Sequence, residues 1–337
     1  MPRSSRPTKK TVRPTHLSSS GYVEEYKVFD AHTHPGFEKK DIAQRPGFAD
    51  CWLSNRKWYM DIRASLGAPD PYRQISKISE IPDFSVETWI NHMDTIKMER
   101  MVLCGINSKS DPPANWRWHV PNEYIKKEFI DKYPDRFIGI GGVNYREGPE
   151  VAIKQVEDAK KKGFVGIKLF TPHGGPPNDV KKCYPLYERA QQLGLQAHIH
   201  TGWESIRGYR IKYCDPLFID DIATDFPDLK ILQLHCGFMY NPMMGIMNAS
   251  HHPNVYTDTS LGAFPTKMYF KYFWDLEHFR VLENYIPDKV FFGTDFPLSL
   301  PVYRALVDHL RLLPLSEVFK KKLLRDNAMK FFLGVED

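Results

Sequence analysis

The 337-residue chain has no unbroken apolar run of the roughly 18 residues that a membrane-spanning helix needs, so no transmembrane helix and no membrane partner are expected. It also lacks a CxxC pair, and its five cysteines (Cys51, Cys104, Cys183, Cys214, Cys236) are odd in number. That usage argues against a disulfide scaffold and suits free thiols in a reducing compartment, so a cytoplasmic location is expected. The first 22 residues contain no acid, yet they carry Arg3, Arg6, Lys9, Lys10 and Arg13. This stretch has no apolar core of the secretory kind, and Pro2, Pro7 and Pro14 disfavour the amphipathic helix of a transit peptide. Residues 1–22 therefore read as a disordered basic tail. Without those five cations, basic and acidic residues balance at 41 each, and the body of the chain offers no charge excess for nucleic acid.

What is present has the composition of a globular protein, 42% hydrophobic and 26% charged. From residue 85 onward, amphipathic helical stretches alternate with short apolar or β-branched runs, the pattern of repeated βα units. Strands are expected at 27–33, 101–106, 137–143, 165–170, 195–200, 230–235, 255–259 and 290–294. Helices are expected at 85–99, 122–133, 149–162, 183–193, 216–226, 243–250, 266–285 and 301–312, with a last one at 316–332. Ser85 and Pro149 mark helix starts, and Gly163 and Gly194 mark helix stops. Eight strands each followed by a helix predict an α/β protein of the (β/α)8 TIM-barrel class over residues 23–337. An open doubly wound sheet would want a glycine-rich phosphate turn after its first strand, and HTHPGF is not one. The departure from the minimal barrel is a long insertion, 37–83, after strand one, with aromatics at Phe48, Trp52, Trp58, Tyr59 and Tyr72. A loop of that length on the catalytic face reads as a lid, and equally as a surface insertion or a contact in a homodimer.

A barrel places chemistry at the C-terminal ends of its strands. Strand one ends in FDAHTH, with His32 and His34 one residue apart. Alternation would send Asp30, His32 and His34 to one face, with the imidazoles about 7 Å apart along the strand. Taken alone, the pair also suits a turn before Pro35. However, Lys168 lies in GIKLF on strand four, His198 and His200 in AHIHTG on strand five, His235 closes ILQLHCG, and Asp295 closes FFGTDFP. Buried imidazoles, a lysine and a carboxylate cost several kcal/mol apiece unless they meet one another or an ion. Convergence on a divalent metal is the expected solution.

With these motifs in place the sequence resembles the amidohydrolase superfamily, and most closely its amidohydrolase-related branch, which includes aminocarboxymuconate-semialdehyde decarboxylase and related aromatic-acid decarboxylases. DAHTH, GIKLF, HTG, LKILQLHCG, NVYTDTS, FFGTDFP and LRDNAMKFFLG carry the resemblance across about residues 27 to 334. It implies His32, His34 and His200 as metal ligands, and Asp295 as the aspartate that touches the metal and acts as a base. It implies His235 as a second-metal ligand or a catalytic histidine beside the substrate. Lys168 takes the place of a lysine that is carboxylated and bridges the ions in two-metal members. One ion or two are both compatible, with zinc favoured and manganese or iron as alternatives. His198 and Asp30 are expected one layer deeper, as supports or barrel filling.

The implied activity is metal-dependent hydrolysis of a C–O or C–N bond in a small cyclic or aromatic, carboxylated compound. The alternatives are non-oxidative decarboxylation of an aromatic or muconate-type acid at the same site, and oxygen-dependent chemistry at a two-metal centre. Trp116, Trp203, Arg207 and Arg210, in loops on the same face, are expected to bind the substrate, because Arg pairs with carboxylates in bidentate fashion. A non-catalytic binding module fits less well, since Asp295 stands where a base is required.

Overall fold

Each expected strand is present in the computed structural model, which describes residues 26–38, 83–108, 119–204, 209–260, 276–295, 297 and 300–335. The strands are β1 (Val28–Thr33), β2 (Met98–Cys104), β3 (Phe137–Val143), β4 (Gly166–Leu169), β5 (Gln196–His200), β6 (Ile231–Leu234), β7 (Val255–Asp258) and β8 (Val290–Phe291). They pair in parallel in chain order, from β1 to β8. The ring closes where the Ala31 N–H donates to the Phe292 carbonyl at 2.9 Å and the Asp295 N–H to the His32 carbonyl at 2.7 Å. The fold is a (β/α)8 barrel. The tail 1–22 and almost all of the insertion 37–83, with Phe48, Trp52, Trp58, Tyr59 and Tyr72 and the lid and dimer readings attached to it, lie outside the described residues.

The helices follow from local signals. Ser85 accepts the Thr88 N–H at the start of α1 (Val86–Thr95), and α2 occupies 122–130. Pro149 opens α3 (Pro149–Lys161), which ends at Gly163 with φ +77, as α4 (Tyr184–Gln192) ends at Gly194 with φ +66. Next come α5 (Phe218–Asp225) and α6 (Pro242–His251), whose first turn is capped by the Asn241 side chain. The layer is completed by α7 (Leu276–Tyr285), α8 (Leu300–Leu312) and α9 (317–333). Among the described residues no helix is long and apolar enough to cross a membrane.

Two apolar clusters divide the interior. The larger lies between strands and helices; the smaller joins Phe29, Ala31, Val102, Cys104, Ile140, Leu232 and Phe291 to Phe331 and Phe332 of α9. The Phe29 and Phe332 rings stack at 5.6 Å, so the last helix closes one end of the barrel with aromatic bulk. Polar chemistry is left to the other end.

One expectation about β1 fails. From Asp30 to Thr33 the strand takes three steps while β2 takes two, from Met101 to Leu103. This extra residue is a β-bulge, and it breaks the alternation that would have put Asp30 on the side of His32 and His34. The Asp30 carboxylate points instead to the helical layer. It accepts the Tyr303 hydroxyl of α8, the Thr294 hydroxyl at 2.7 Å, and the N–H groups of His32 (3.1 Å) and Thr294 (3.2 Å). It thereby ties β1 to the segment after β8, and burial holds its pKa well above the usual carboxylate range. Tyr303→Phe is expected to cost about 1–3 kcal/mol of stability, read as a lower urea midpoint at unchanged slope. A midpoint equal to that of the parent would show the bond to be idle.

Candidate metal centre

The bulge and two strained turns bring the polar strand ends together. His32 and His34 project inward from β1, Lys168 from β4, His235 from the end of β6 and Asp295 from the turn after β8. His235 and Asp295 both adopt φ +65, a left-handed conformation that non-glycine residues reach at a cost of about 1 kcal/mol or more. Strain at two strand ends that carry chemistry re-aims their side chains into the barrel mouth. At the loop after β5, Gly202 has φ +85, and a Cβ there would lie 2.6 Å from the Phe238 nitrogen. The HTG glycine thus lets the β5 and β6 loops touch.

Asp295 Oδ1 lies 3.3 Å from His32 Nε2, 3.7 Å from His34 Nε2 and 3.6 Å from His235 Nε2. Lys168 Nζ lies 3.0 Å from His32 Nε2 and 2.7 Å from His34 Nε2. The partners of the opposite ring nitrogens decide what these Nε2 atoms are. His34 Nδ1 faces the Cys104 carbonyl at 2.7 Å; a carbonyl only accepts, so the proton is on Nδ1. The Ser260 hydroxyl donates its single hydrogen to Asp258 Oδ1. It must therefore accept from His235 Nδ1 at 2.8 Å and from His32 Nδ1 at 3.2 Å. All three imidazoles are Nδ1–H tautomers, and all three Nε2 lone pairs point at the same place as a carboxylate oxygen.

Lone pairs that face one another at 3.3–3.7 Å repel unless a positive charge lies among them. The Lys168 ammonium supplies one to His32 and His34. His235 Nε2 and His200 Nε2 are buried without hydrogen-bond partners. The donor set fits a divalent cation: ligands held at 2.0–2.2 Å in a tetrahedral shell stand about 3.4 Å from one another. Among the described residues, His32, His34 and Asp295 form one group with ligand atoms within 4.8 Å, and His32, His235 and Asp258 form a second. For an ion to take both His32 and His34, Lys168 Nζ must swing aside.

Burial lowers the pKa of His32, His34 and His200 well below 6.5, with the Lys168 charge adding to it; for His235 burial is followed by the neighbouring His200 and His32. Neutral rings are the form that binds metal. Burial also raises Asp295 to about 7, against the pull of Lys168.

The other expected residues are placed as follows. The His200 ring centroid is 4.7 Å from that of His235 and 5.3 Å from Phe170, outside both three-residue groups. His198 sits deeper, its Nε2 bonded to Gln196 Oε1 at 3.0 Å and its ring 5.8 Å from Phe332. Trp203 is half-buried and its backbone N–H donates to the Phe238 carbonyl, whereas Arg210 is exposed and its backbone N–H donates to the Pro172 carbonyl. Trp116 and Arg207 lie outside the described residues. Asp258 and Ser260 were not singled out from sequence, although NVYTDTS ends a strand in a carboxylate just as FFGTDFP does.

Two outcomes follow from this geometry. Ser260→Ala should weaken Zn2+ or Mn2+ binding by about 10- to 100-fold, read by isothermal titration; undiminished affinity would mean the rings keep their orientation without the hydroxyl. The metal-free protein should lose stability as pH falls below 6.5. Between their lowered native pKa values and 6.5, His32, His34, His198, His200 and His235 take up protons only when unfolded. Asp30 and Asp295, raised in the native state, act in the opposite sense but are fewer. A urea midpoint that is flat or rising from pH 6.5 to 5 would contradict this.

Residues 118–333 match the family described as Amidohydrolase. The 2-amino-3-carboxymuconate-6-semialdehyde decarboxylase of Dictyostelium discoideum is 25% identical over 244 residues, covering 64% of this chain and 66% of that protein. The 4-sulfomuconolactone hydrolase of Hydrogenophaga intermedia is 23% identical over 283 residues, covering 78% and 83%. Among solved structures, an uncharacterized TIM-barrel protein of Bordetella bronchiseptica superposes with a TM-score of 0.67 at 22% identity, over 90% of this chain and 97% of that one. The manganese complex of 5-carboxyvanillate decarboxylase from Novosphingobium aromaticivorans gives 0.60 at 18% identity, over 93% and 97%. The chain belongs to the amidohydrolase family and is one of its metal-dependent enzymes, a hydrolase or a decarboxylase.

Proposed function

We propose that this protein hydrolyses a C–O or C–N bond in a small cyclic or aromatic compound bearing a carboxylate, a lactone being the simplest case. The observation that carries this reading is the position of Asp295, with one carboxylate oxygen 3.3–3.7 Å from three imidazole nitrogens and the side chain still partly open to the barrel mouth. His32, His34 and Asp295 would hold the ion, with His200 and His235 completing its surroundings. A divalent cation held by these residues, zinc first and manganese or iron as alternatives, would supply polarisation of a substrate oxygen and a water of near-neutral pKa. Asp295 then accepts the proton of the attacking water and passes it to the leaving group. His235, with its Nδ1–H committed to Ser260, presents a lone pair at Nε2. It therefore suits a ligand or a proton acceptor. Donation to a developing oxyanion would require a proton on Nε2.

Lys168 is the residue that would carry the carbamate of a two-ion form, its Nζ moving aside from the His32 and His34 nitrogens that it now contacts at 3.0 and 2.7 Å. The second reading, non-oxidative decarboxylation, uses the same residues to anchor a carboxylate, and the Dictyostelium and Novosphingobium relatives favour it. Arg210 and Arg207 are candidates to recognise the substrate's anionic group.

The deciding experiment is elemental analysis followed by assays of lactones, amides and aromatic acids in labelled water, with and without chelator. The expected result is chelator-sensitive turnover that incorporates label, lost by at least 100-fold in Asp295→Asn. Carbon dioxide release without label would replace hydrolysis by decarboxylation. Lys168→Ala is expected to drop the metal content from two ions to one per chain; one ion in both proteins would exclude the carbamate.

A further inference from the structure

A third group of metal-type donors lies on the outer helical layer, away from the strand ends. Helix α6 finishes in two consecutive histidines, His251 and His252, and Asp220 lies in the first turn of α5. One donor atom from each residue falls within 4.8 Å of the other two. His252 leaves the helix with φ −96 and ψ 125, an extended conformation that turns its ring toward α5, where Nε2 meets Asp220 Oδ1 at 2.7 Å. The His251 ring packs edge-on against it, centroids 4.7 Å apart.

The backbone beneath this group is fixed. The Asn248 amide donates to the Pro216 carbonyl at 2.7 Å, joining α6 to the residues just before α5. Lys289 Nζ donates to the carbonyls of Ala249 (2.9 Å) and His252 (2.6 Å). His252 is buried, Asp220 is half-exposed and His251 is exposed, so one side of the group stays open to water.

We infer that Asp220, His251 and His252 form a peripheral binding site for a borderline transition cation of the Zn2+, Ni2+ or Cu2+ class. Two imidazoles and one carboxylate select such ions over Mg2+ or Ca2+, which prefer all-oxygen shells. Opening the His252–Asp220 pair from 2.7 Å to the roughly 3.4 Å of a tetrahedral edge requires less than an ångström of movement by a half-exposed side chain. Water would complete the shell. The Lys289 ammonium behind His252 opposes a cation, whereas Asp221, bonded to Asn178 at 2.7 Å, adds negative charge on the same helix. A bound ion would staple α5 to α6.

The test uses the full chain and Zn2+ alone. Wild-type protein should bind one more equivalent at equilibrium dialysis than His251→Ala, and Asp220→Ala should weaken that equivalent at least tenfold. Excess Mg2+ should leave it in place, and activity should be the same in all three proteins. Equal stoichiometry in wild type and His251→Ala would overturn the site. So would unchanged affinity in Asp220→Ala, which would reduce the binding to a lone surface histidine.

Discussion

Three imidazole lone pairs and a carboxylate oxygen meet within 3.7 Å at the mouth of the barrel, and they repel one another unless a cation or a shared proton lies among them. Much of the surrounding structure serves to hold it. The Cys104 carbonyl and the Ser260 hydroxyl fix the tautomers, and Asp258 Oδ1 fixes Ser260 by accepting both the Ser260 hydroxyl and the Ser260 N–H. Asp30 anchors the bulged strand that carries His32 and His34. The left-handed turns at His235 and Asp295 hold strained backbone at the two strand ends that aim these side chains into the barrel mouth.

The two ends of the barrel divide the labour. Phe331 and Phe332 of the last helix, with Phe29 and Phe291, fill one end with stacked, tilted and edge-on rings at 4.9–6.2 Å. That end supplies the apolar burial that offsets the desolvated polar groups at the other. His198 marks the boundary, with Phe332 on one side of it and the Lys168 charge felt from the other.

Much of this was legible in the sequence, because a buried polar residue at the end of an apolar run has few explanations. The eight strands, the helix caps at Ser85 and the stops at Gly163 and Gly194 are local signals, and they survive in the fold. Convergence of His32, His34, Lys168, His235 and Asp295 follows from strand ends in a closed barrel. The bulge in β1 was not legible, since it depends on pairing with β2 and strict alternation misplaced Asp30. Ser260 escaped notice because its importance lies in hydrogen-bond direction, a property of angles between three strands. The Cys104 contribution is a backbone carbonyl and leaves no trace in residue identity.

Ser260 has one hydrogen and two imidazoles leaning on its oxygen. Were either ring to move its proton from Nδ1 to Nε2, the hydroxyl hydrogen would have to turn away from Asp258 toward the vacated nitrogen. The fully buried carboxylate would then lose a charge-assisted bond. Since one hydroxyl cannot point two ways, His32 and His235 cannot both make that change through it. The tautomers of the two rings, on strands at different places around the barrel, are thus coupled through one hydroxyl, and that hydroxyl is oriented from behind by a carboxylate outside the first group of donors.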